Sequence, residues 1–76
     1  MTPIKFVEEV VVDIETWNNY IKEDRLEALV ENTAWKVIDI ARNSGFTAPM
    51  KNVFIDILPN AEDEKTHETI RVTIEY

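Results

Sequence analysis

The stretch Leu26–Ala41, LEALVENTAWKVIDIA, carries the clearest periodic pattern in the chain and decides its fold class. Apolar or small residues recur every three or four positions, which predicts an amphipathic helix with one broad core-facing side. That side consists of Leu26, Leu29, Val30, Thr33, Ala34, Val37, Ile40 and Ala41. Gly45 is the expected stop, because glycine readily takes the left-handed conformation that ends helices.

The start of this helix is open to two interpretations. Asp24 and Glu27 fit a capping box, whereas Thr16 is a second candidate cap further upstream. A helix that began at the upstream cap would be about 43 Å long, against about 33 Å for a ten-residue strand. We therefore expect the helix either to overhang the sheet or to break around residues 18–19, with a first short turn over Trp17–Lys22.

Three further segments, 4–14, 52–58 and 66–76, alternate in hydropathy as strands do. Glu8 falls on the apolar face of the first, which predicts a bulge or a position beyond the covered core. The order strand, helix, strand, strand in one domain spanning 1–76 predicts an α+β fold, in which one long helix packs on one face of a three-stranded, mainly antiparallel sheet. The first strand is expected either to pair antiparallel with the last or to reach the second through a right-handed crossover.

The charge balance narrows the range of partners. The 76 residues hold 8 Lys and Arg against 15 Asp and Glu, a net charge of −7. Such a surface should repel nucleic-acid phosphates and anionic lipids, so we expect neither direct nucleic-acid binding nor membrane binding. The absence of cysteine, together with an N-terminal stretch unlike a signal peptide, predicts a cytoplasmic protein.

Residues that perform enzyme chemistry are scarce. Gly45 is the single glycine, which excludes the common phosphate-binding loops. Ser44 and His67 are the only serine and histidine, and Ser44 lies at a helix C-terminus, where the helix dipole disfavours an oxyanion. The acidic residues 62–64 lack the alternating ligands and central glycine of a calcium loop. We therefore predict no enzymatic activity, no cofactor and no metal site.

A second stripe of residues runs along the helix side opposite the core. Its members are Trp17, Ile21, Ala28 and Trp35, and its acidic flanks are Asp24, Glu27, Glu31 and Asp39. A large aromatic residue ringed by acids is a common arrangement of a protein-binding hot spot, so Trp35 is the predicted anchor and Trp17 its support. The alternative is that Trp35 folds back onto Trp17, Tyr20 or a loop and enlarges the core.

The sheet face away from the helix is a second apolar surface. One helix covers one face of a sheet, so the large apolar side chains on the other face are expected to stay exposed. These residues are Val7, Val11, Phe54 and Leu58. They predict a homo-oligomer that packs sheet on sheet, with the pairing of edge strands as a further route.

Together these observations predict a non-enzymatic, acidic interaction domain that binds a protein, either a second copy of itself or a basic surface on another protein. Its size, its acidity and its lack of catalytic groups are similar to those of small phage-encoded inhibitors of host proteins, which implies a nucleic-acid-binding protein as one target. If the partner is such a protein, the acidic face would compete with nucleic-acid phosphates.

The order of a strand, a long helix and a hairpin also resembles that of the dodecins, small flavin-binding oligomers whose sheets line a shell. Dodecins place a tryptophan on the second strand to stack on the flavin, whereas residues 52–58 hold Phe54 and no tryptophan. The resemblance therefore transfers no site. It implies the alternative function, an oligomeric small-ligand binder whose inter-subunit pocket is lined by Val11, Phe54 and Leu58.

Overall fold

The computed structural model describes residues 4–58 and 66–76, which form an α+β fold of one three-stranded sheet and two helices. The elements in chain order are β1 (Lys5–Asp13), α1 (Ile14–Lys22), α2 (Leu26–Asn43), β2 (Asn52–Leu58) and β3 (His67–Glu75). Both strand pairs are antiparallel, and the spatial order is β1-β3-β2. The last strand is therefore central. Of the two alternatives predicted for the first strand, antiparallel pairing with the last is confirmed, and the right-handed crossover to the second is wrong.

Each strand alternates between two faces as its sequence predicts. The even-numbered residues of β3 lie under the helices, where Ile70, Val72 and Ile74 are fully buried. In register beside them on this inner face are Val10, Glu8 and Phe6 of β1 and Ile57, Ile55 and Val53 of β2. The pairing of β1 with β3 runs residue for residue from Lys5 to Asp13, so the bulge predicted at Glu8 is wrong.

The segment predicted as one long helix forms two helices, α1 and α2. The break between them lies at residues 23–25 rather than at 18–19. Asp24 takes a left-handed conformation with φ 56°. Its amide donates to the Ile21 carbonyl (3.0 Å), and the amide of Arg25 donates to that of Tyr20 (2.8 Å). This is the hydrogen-bond pattern of a Schellman motif, so Asp24 ends α1 and does not cap α2. The predicted capping box is wrong for that reason.

The end of α2 repeats the same motif with the residue that the sequence predicts. Gly45 has φ 103°, the amide of Gly45 donates to Arg42, and the amide of Phe46 donates to Ala41. Here the left-handed position falls on glycine, which has no side chain to strain it. The predicted stop of the long helix at Gly45 is confirmed.

The beginning of α1 follows directly on β1. The Asp13 carboxylate accepts hydrogen bonds from the backbone amide of Thr16 (3.2 Å) and from its hydroxyl group (2.6 Å). Asp13 is therefore the N-cap, and Thr16, the predicted cap, lies in the first turn. The pKa of Asp13 lies below its ordinary value of 3.8. The largest cause is the hydrogen bond from the Thr16 hydroxyl group, and the second is the hydrogen bond from the Thr16 backbone amide.

The Asp13 cap gives a prediction on acid stability. Because the pKa is lower in the folded state, this carboxylate stabilises the fold above pH 3.8, and the contribution is lost as the pH falls through the folded-state pKa. Asp13→Asn keeps an acceptor for the cap but removes the titration. We expect the urea midpoint of the variant to depend less on pH below 4 than that of the wild type, with equal midpoints near pH 7. Parallel pH profiles for the two proteins would contradict this.

The core lies between the helices and the inner face of β1 and β3. Trp17 of α1 and Val37, Ile38 and Ala41 of α2 are buried there. Ile38 thus replaces Ile40, which the helical count placed inward and which is exposed. At one end, Phe46 contacts both Phe6 (ring centroids 5.1 Å apart) and Tyr76 (5.4 Å), which extends the core past the end of α2.

Within the described ranges, neither helix has the length and apolar character needed to cross a membrane. The acidic stretch 60–65, for which a turn-rich loop is predicted, and Pro59, the predicted end of the second strand, lie outside the described residues.

Candidate protein-binding groove

An apolar groove lies between α2 and the inner face of β2. It has a volume of about 580 Å³. The described residues that line it are Leu26, Glu27, Val30, Glu31, Ala34, Trp35, Ile38, Met50, Val53 and Ile55. We refer to this surface as the α2–β2 groove.

The groove exists because the helices cover two strands of the three. Both helices pack against β1 and β3, and Ile70, Val72 and Ile74 on the inner face of β3 are fully buried as a result. On the same face of β2, Val53, Ile55 and Ile57 are 38%, 39% and 48% exposed. A strand that is apolar on its helix side but uncovered by a helix leaves a channel beside α2, and its floor is the side chains of β2.

Trp35 forms the wall of the groove on the side of α2. It is 57% exposed, although Ala34 beside it and Val37 two positions on are buried in the core. At 100° per residue, position 35 lies on the flank of α2 and not on its core-facing side. The Trp35 ring is therefore directed along that flank. The alternative prediction, that Trp35 folds back to enlarge the core, is wrong because more than half of the side chain stays accessible.

The rim of the groove is acidic. Glu27 and Glu31 lie one turn apart on α2, and they are the charged members of the described lining. Asp39 is one turn beyond Trp35 and exposed, but it is not part of the lining. Asp24 lies between the two helices, where its left-handed backbone ends α1. Of the four predicted acids, the structure therefore brings Glu27 and Glu31 together with Trp35.

Trp17 does not belong to this surface. It is 7% exposed and packs in the core with Val12, Val37 and Ile70 among others. The prediction that it shares an exposed stripe with Trp35 is wrong, because the chain changes direction at residues 23–25 and a continuous helical count does not extend across that break. Of the other predicted stripe members, Ile21 is exposed on α1 and Ala28 is partly buried on α2.

The outer sheet face is divided into rows rather than forming one apolar patch. Val7 and Phe54 flank Thr73 in one row, and Val11 and Leu58 flank Thr69 in another. Between these rows lies a charged one, Glu9–Arg71–Asp56, in which Arg71 and Glu9 form an ion pair at 2.9 Å.

Of the predicted outer-face residues, Val7, Val11 and Phe54 are exposed and Leu58 is partly buried. The oligomer interface and the inter-subunit ligand pocket proposed for this face stay predictions.

Side chains that bind metal ions are not clustered within the described ranges 4–58 and 66–76. No three side chains of His, Cys, Asp or Glu come together there as metal ligands. The hydroxyl of Ser44 donates to the Ile40 carbonyl (2.8 Å) at the end of α2, and His67 Nδ1 lies 3.0 Å from the Thr66 hydroxyl. Ser44 and His67 are thus at separate elements, engaged in local hydrogen bonds.

The floor of the groove is the part of the site that the sequence does not predict. The pattern predicts a connection at Met50, and it places Val53 and Ile55 on the strand face that the helix covers. The available signal was the composition of 52–58, which is apolar on both faces with Asp56 as its one charged residue. That pattern on an edge strand indicates an uncovered face, but the sequence does not show that this strand is at the edge.

Comparison of the chain with protein-family models, with curated proteins and with solved structures finds no match.

Proposed function

We propose that this chain is a non-enzymatic protein-interaction domain and that the α2–β2 groove is its binding surface. The observation that supports this most is the exposure of Trp35 at 57% beside an apolar floor of Val53 and Ile55. Tryptophan contributes more binding energy than most interface residues, because it buries a large apolar area with few rotatable bonds. Monomeric soluble proteins rarely expose a large contiguous apolar surface. An exposed apolar groove with an aromatic wall therefore favours an interaction site.

The chemistry of the rim favours a partner with a basic surface. Glu27 and Glu31 border the apolar lining, and the whole chain has a net charge of −7. Such a field accelerates the approach of cationic proteins and disfavours acidic ones. A nucleic-acid-binding protein presents such a basic surface. If this chain occupied that surface, it would keep nucleic-acid phosphates from binding there, and it would act as a small inhibitor of the phage type. A cysteine-free chain also suits the reducing cytoplasm in which such a target works.

The test is a double substitution in the groove. We expect Trp35→Ala with Glu31→Lys to weaken the partner complex by at least about 100-fold, because it removes the aromatic anchor and reverses a rim charge. The partner is first isolated from the native host with tagged wild-type chain, then purified and titrated by calorimetry. The affinity of the wild type should fall as salt is raised, since exposed charges are screened.

A matched control is available on α1. Ile21→Ala with Glu23→Lys also truncates one exposed apolar side chain and reverses one glutamate, at positions outside the groove lining. We expect this variant to bind within about threefold of the wild type. Circular dichroism should show both variants folded. Equal affinity of the groove variant and the control would remove the groove from the proposed function.

A further inference from the structure

Strand β2 has a row of backbone groups with no partner in the described part of the chain. The Tyr76 amide donates to Ile4 (3.0 Å), and the Ile14 amide donates to Thr66 (3.1 Å). The N–H and C=O groups of even-numbered β3 residues therefore hydrogen-bond to β1. Those of odd-numbered β3 residues hydrogen-bond to the even-numbered residues of β2, which lie opposite them in register. It follows that the N–H and C=O groups of Val53, Ile55 and Ile57 point away from β3, along the edge.

Within the described residues, this edge carries less protection than the opposite edge does. In β1, the strand KFVEEVVVD carries four charged residues. In β2, NVFIDIL carries Asp56 alone, and that residue lies in register with Arg71 on the outer face. Charges and covering elements are the usual means by which proteins prevent edge pairing. By that criterion β2 is open to another strand.

We propose that the edge of β2 pairs with β2 of a second copy of this chain, antiparallel and with its two-fold axis at Ile55. This inference rests on the proposed function, since it takes the β2 side of the groove as part of a protein-binding surface. In this register Ile55 faces Ile55 of the second copy, and Val53 faces Ile57. All three donors and all three acceptors of each edge are then used, so the pairing is self-complementary.

The side-chain pattern of β2 fits the same two-fold axis. A two-fold axis perpendicular to the sheet pairs odd-numbered residues of one copy with odd-numbered residues of the other. The inner faces of the two sheets then lie side by side as one continuous surface. Val53, Ile55 and Ile57 then contact their counterparts sideways, while Phe54 lies beside Asp56 of the second copy on the outer face. The two three-stranded sheets become one six-stranded sheet with all helices on one side.

The size of the interface sets the expected affinity. Val53, Phe54, Ile55 and Ile57 expose 38–49% of their surface, on the order of 300 Å² per copy, to which the main-chain edge adds. The two copies together bury about 600 Å² of side-chain surface, less than the roughly 1,000 Å² of a stable interface, so we expect a weak dimer with a dissociation constant of about 10–100 μM. The second copy lies in the plane of the sheet and not above it, so Trp35 and the acidic rim stay available to a basic partner.

The first test is the mass of the untagged wild-type chain by sedimentation equilibrium, from about 1 μM to about 500 μM. We expect a concentration-dependent shift from 8.9 kDa to twice that mass. Because each copy has a net charge of −7, raising the salt concentration should strengthen the dimer. The complex with a basic partner should respond in the opposite way. A chain that stays at the monomer mass up to the highest concentration would overturn the inference.

The second test probes the axis itself. Ile55→Lys and Ile55→Glu each place like charges opposite one another at the two-fold axis, so each variant should dimerise at least about 100-fold more weakly than the wild type. Mixing the two variants should restore a dimer, because lysine then faces glutamate. Ile21→Lys on α1 is the control and should leave the dimer intact. A dimer insensitive to both charges at position 55 would place the interface elsewhere and overturn the proposal.

A third measurement does not depend on a charge at position 55. The chain contains no cysteine, so Ile55→Cys introduces a single thiol. In the proposed register the two Cα atoms lie about 5.5 Å apart, within the reach of a disulfide. Mild oxidation with oxidised glutathione should give a covalent dimer, whereas Val11→Cys, exposed on the outer face of β1, should not.

The two proposals fail separately. Because Ile55 lies in the groove floor, partner binding is measured with the wild-type chain, at a low concentration at which it is monomeric. Absence of the dimer with partner binding intact would refute only the β2 pairing. Failure of the Trp35 and Glu31 double variant to weaken the partner complex, with the dimer intact, would refute only the proposed function.

Discussion

Trp17→Ala is expected to lower the free energy of unfolding by about 3–5 kcal/mol, the usual range for removing a buried aromatic side chain. Trp17 is 7% exposed, and it belongs to the cluster that contains Val37 and Ile70. Its removal leaves a cavity between α1 and the sheet that the short α1 helix cannot close. At about 0.05–0.15 kcal/mol per residue, a domain of 76 residues has a total stability of about 4–11 kcal/mol, so the variant should lose a large part of it.

Trp35→Ala is the matched comparison, because it makes the same chemical change at a site that is 57% exposed. We expect it to change stability by less than about 1 kcal/mol. Urea unfolding followed by circular dichroism, at one low micromolar concentration for all proteins, measures both values. If Trp17→Ala does not fold, Trp17→Phe provides a milder test and should still be less stable than Trp35→Ala. Equal effects at the two positions would contradict the assignment of one tryptophan to the core and the other to the groove.

Ile70→Ala is expected to have the second large effect, a loss of about 2–5 kcal/mol. Ile70 is fully buried at the centre of β3, between Val10 of β1 and Ile57 of β2 in register. Its side chain therefore has neighbours on both sides as well as the helices above it. The surrounding strands are held by hydrogen bonds on both edges of β3, which limits how far they can collapse into the space left by the missing atoms.

Ile21→Ala is the control for this change. Ile21 is 52% exposed near the end of α1, and alanine is the better helix former, so stability should stay within about 0.5 kcal/mol of the wild type. Both variants are measured by urea unfolding under the conditions used for the tryptophan pair. A loss of less than about 1 kcal/mol for Ile70→Ala would mean that β3 is not the centre of the core.

The candidate site was only partly predictable from the sequence. Trp35 and its two acidic neighbours Glu27 and Glu31 lie within one helix, where a count of 100° per residue is valid, and the prediction placed them together. The floor of the groove comes from β2, which is distant in sequence. Its part in the site depends on which strand takes the edge, and a local pattern contains no information on that.

By itself the sequence determined the local elements of this protein. The span 52–58 of the second strand, the faces of all three strands and the end of the long helix at Gly45 follow from residue alternation and from the freedom of glycine. The tertiary structure alone decided that α1 and α2 separate at Asp24, that β3 lies between β1 and β2, and that Trp17 is buried while Trp35 is not. Periodicity fixes which side of an element is apolar, but which element covers that side depends on non-local packing, and here two helices cover two strands and leave the third open.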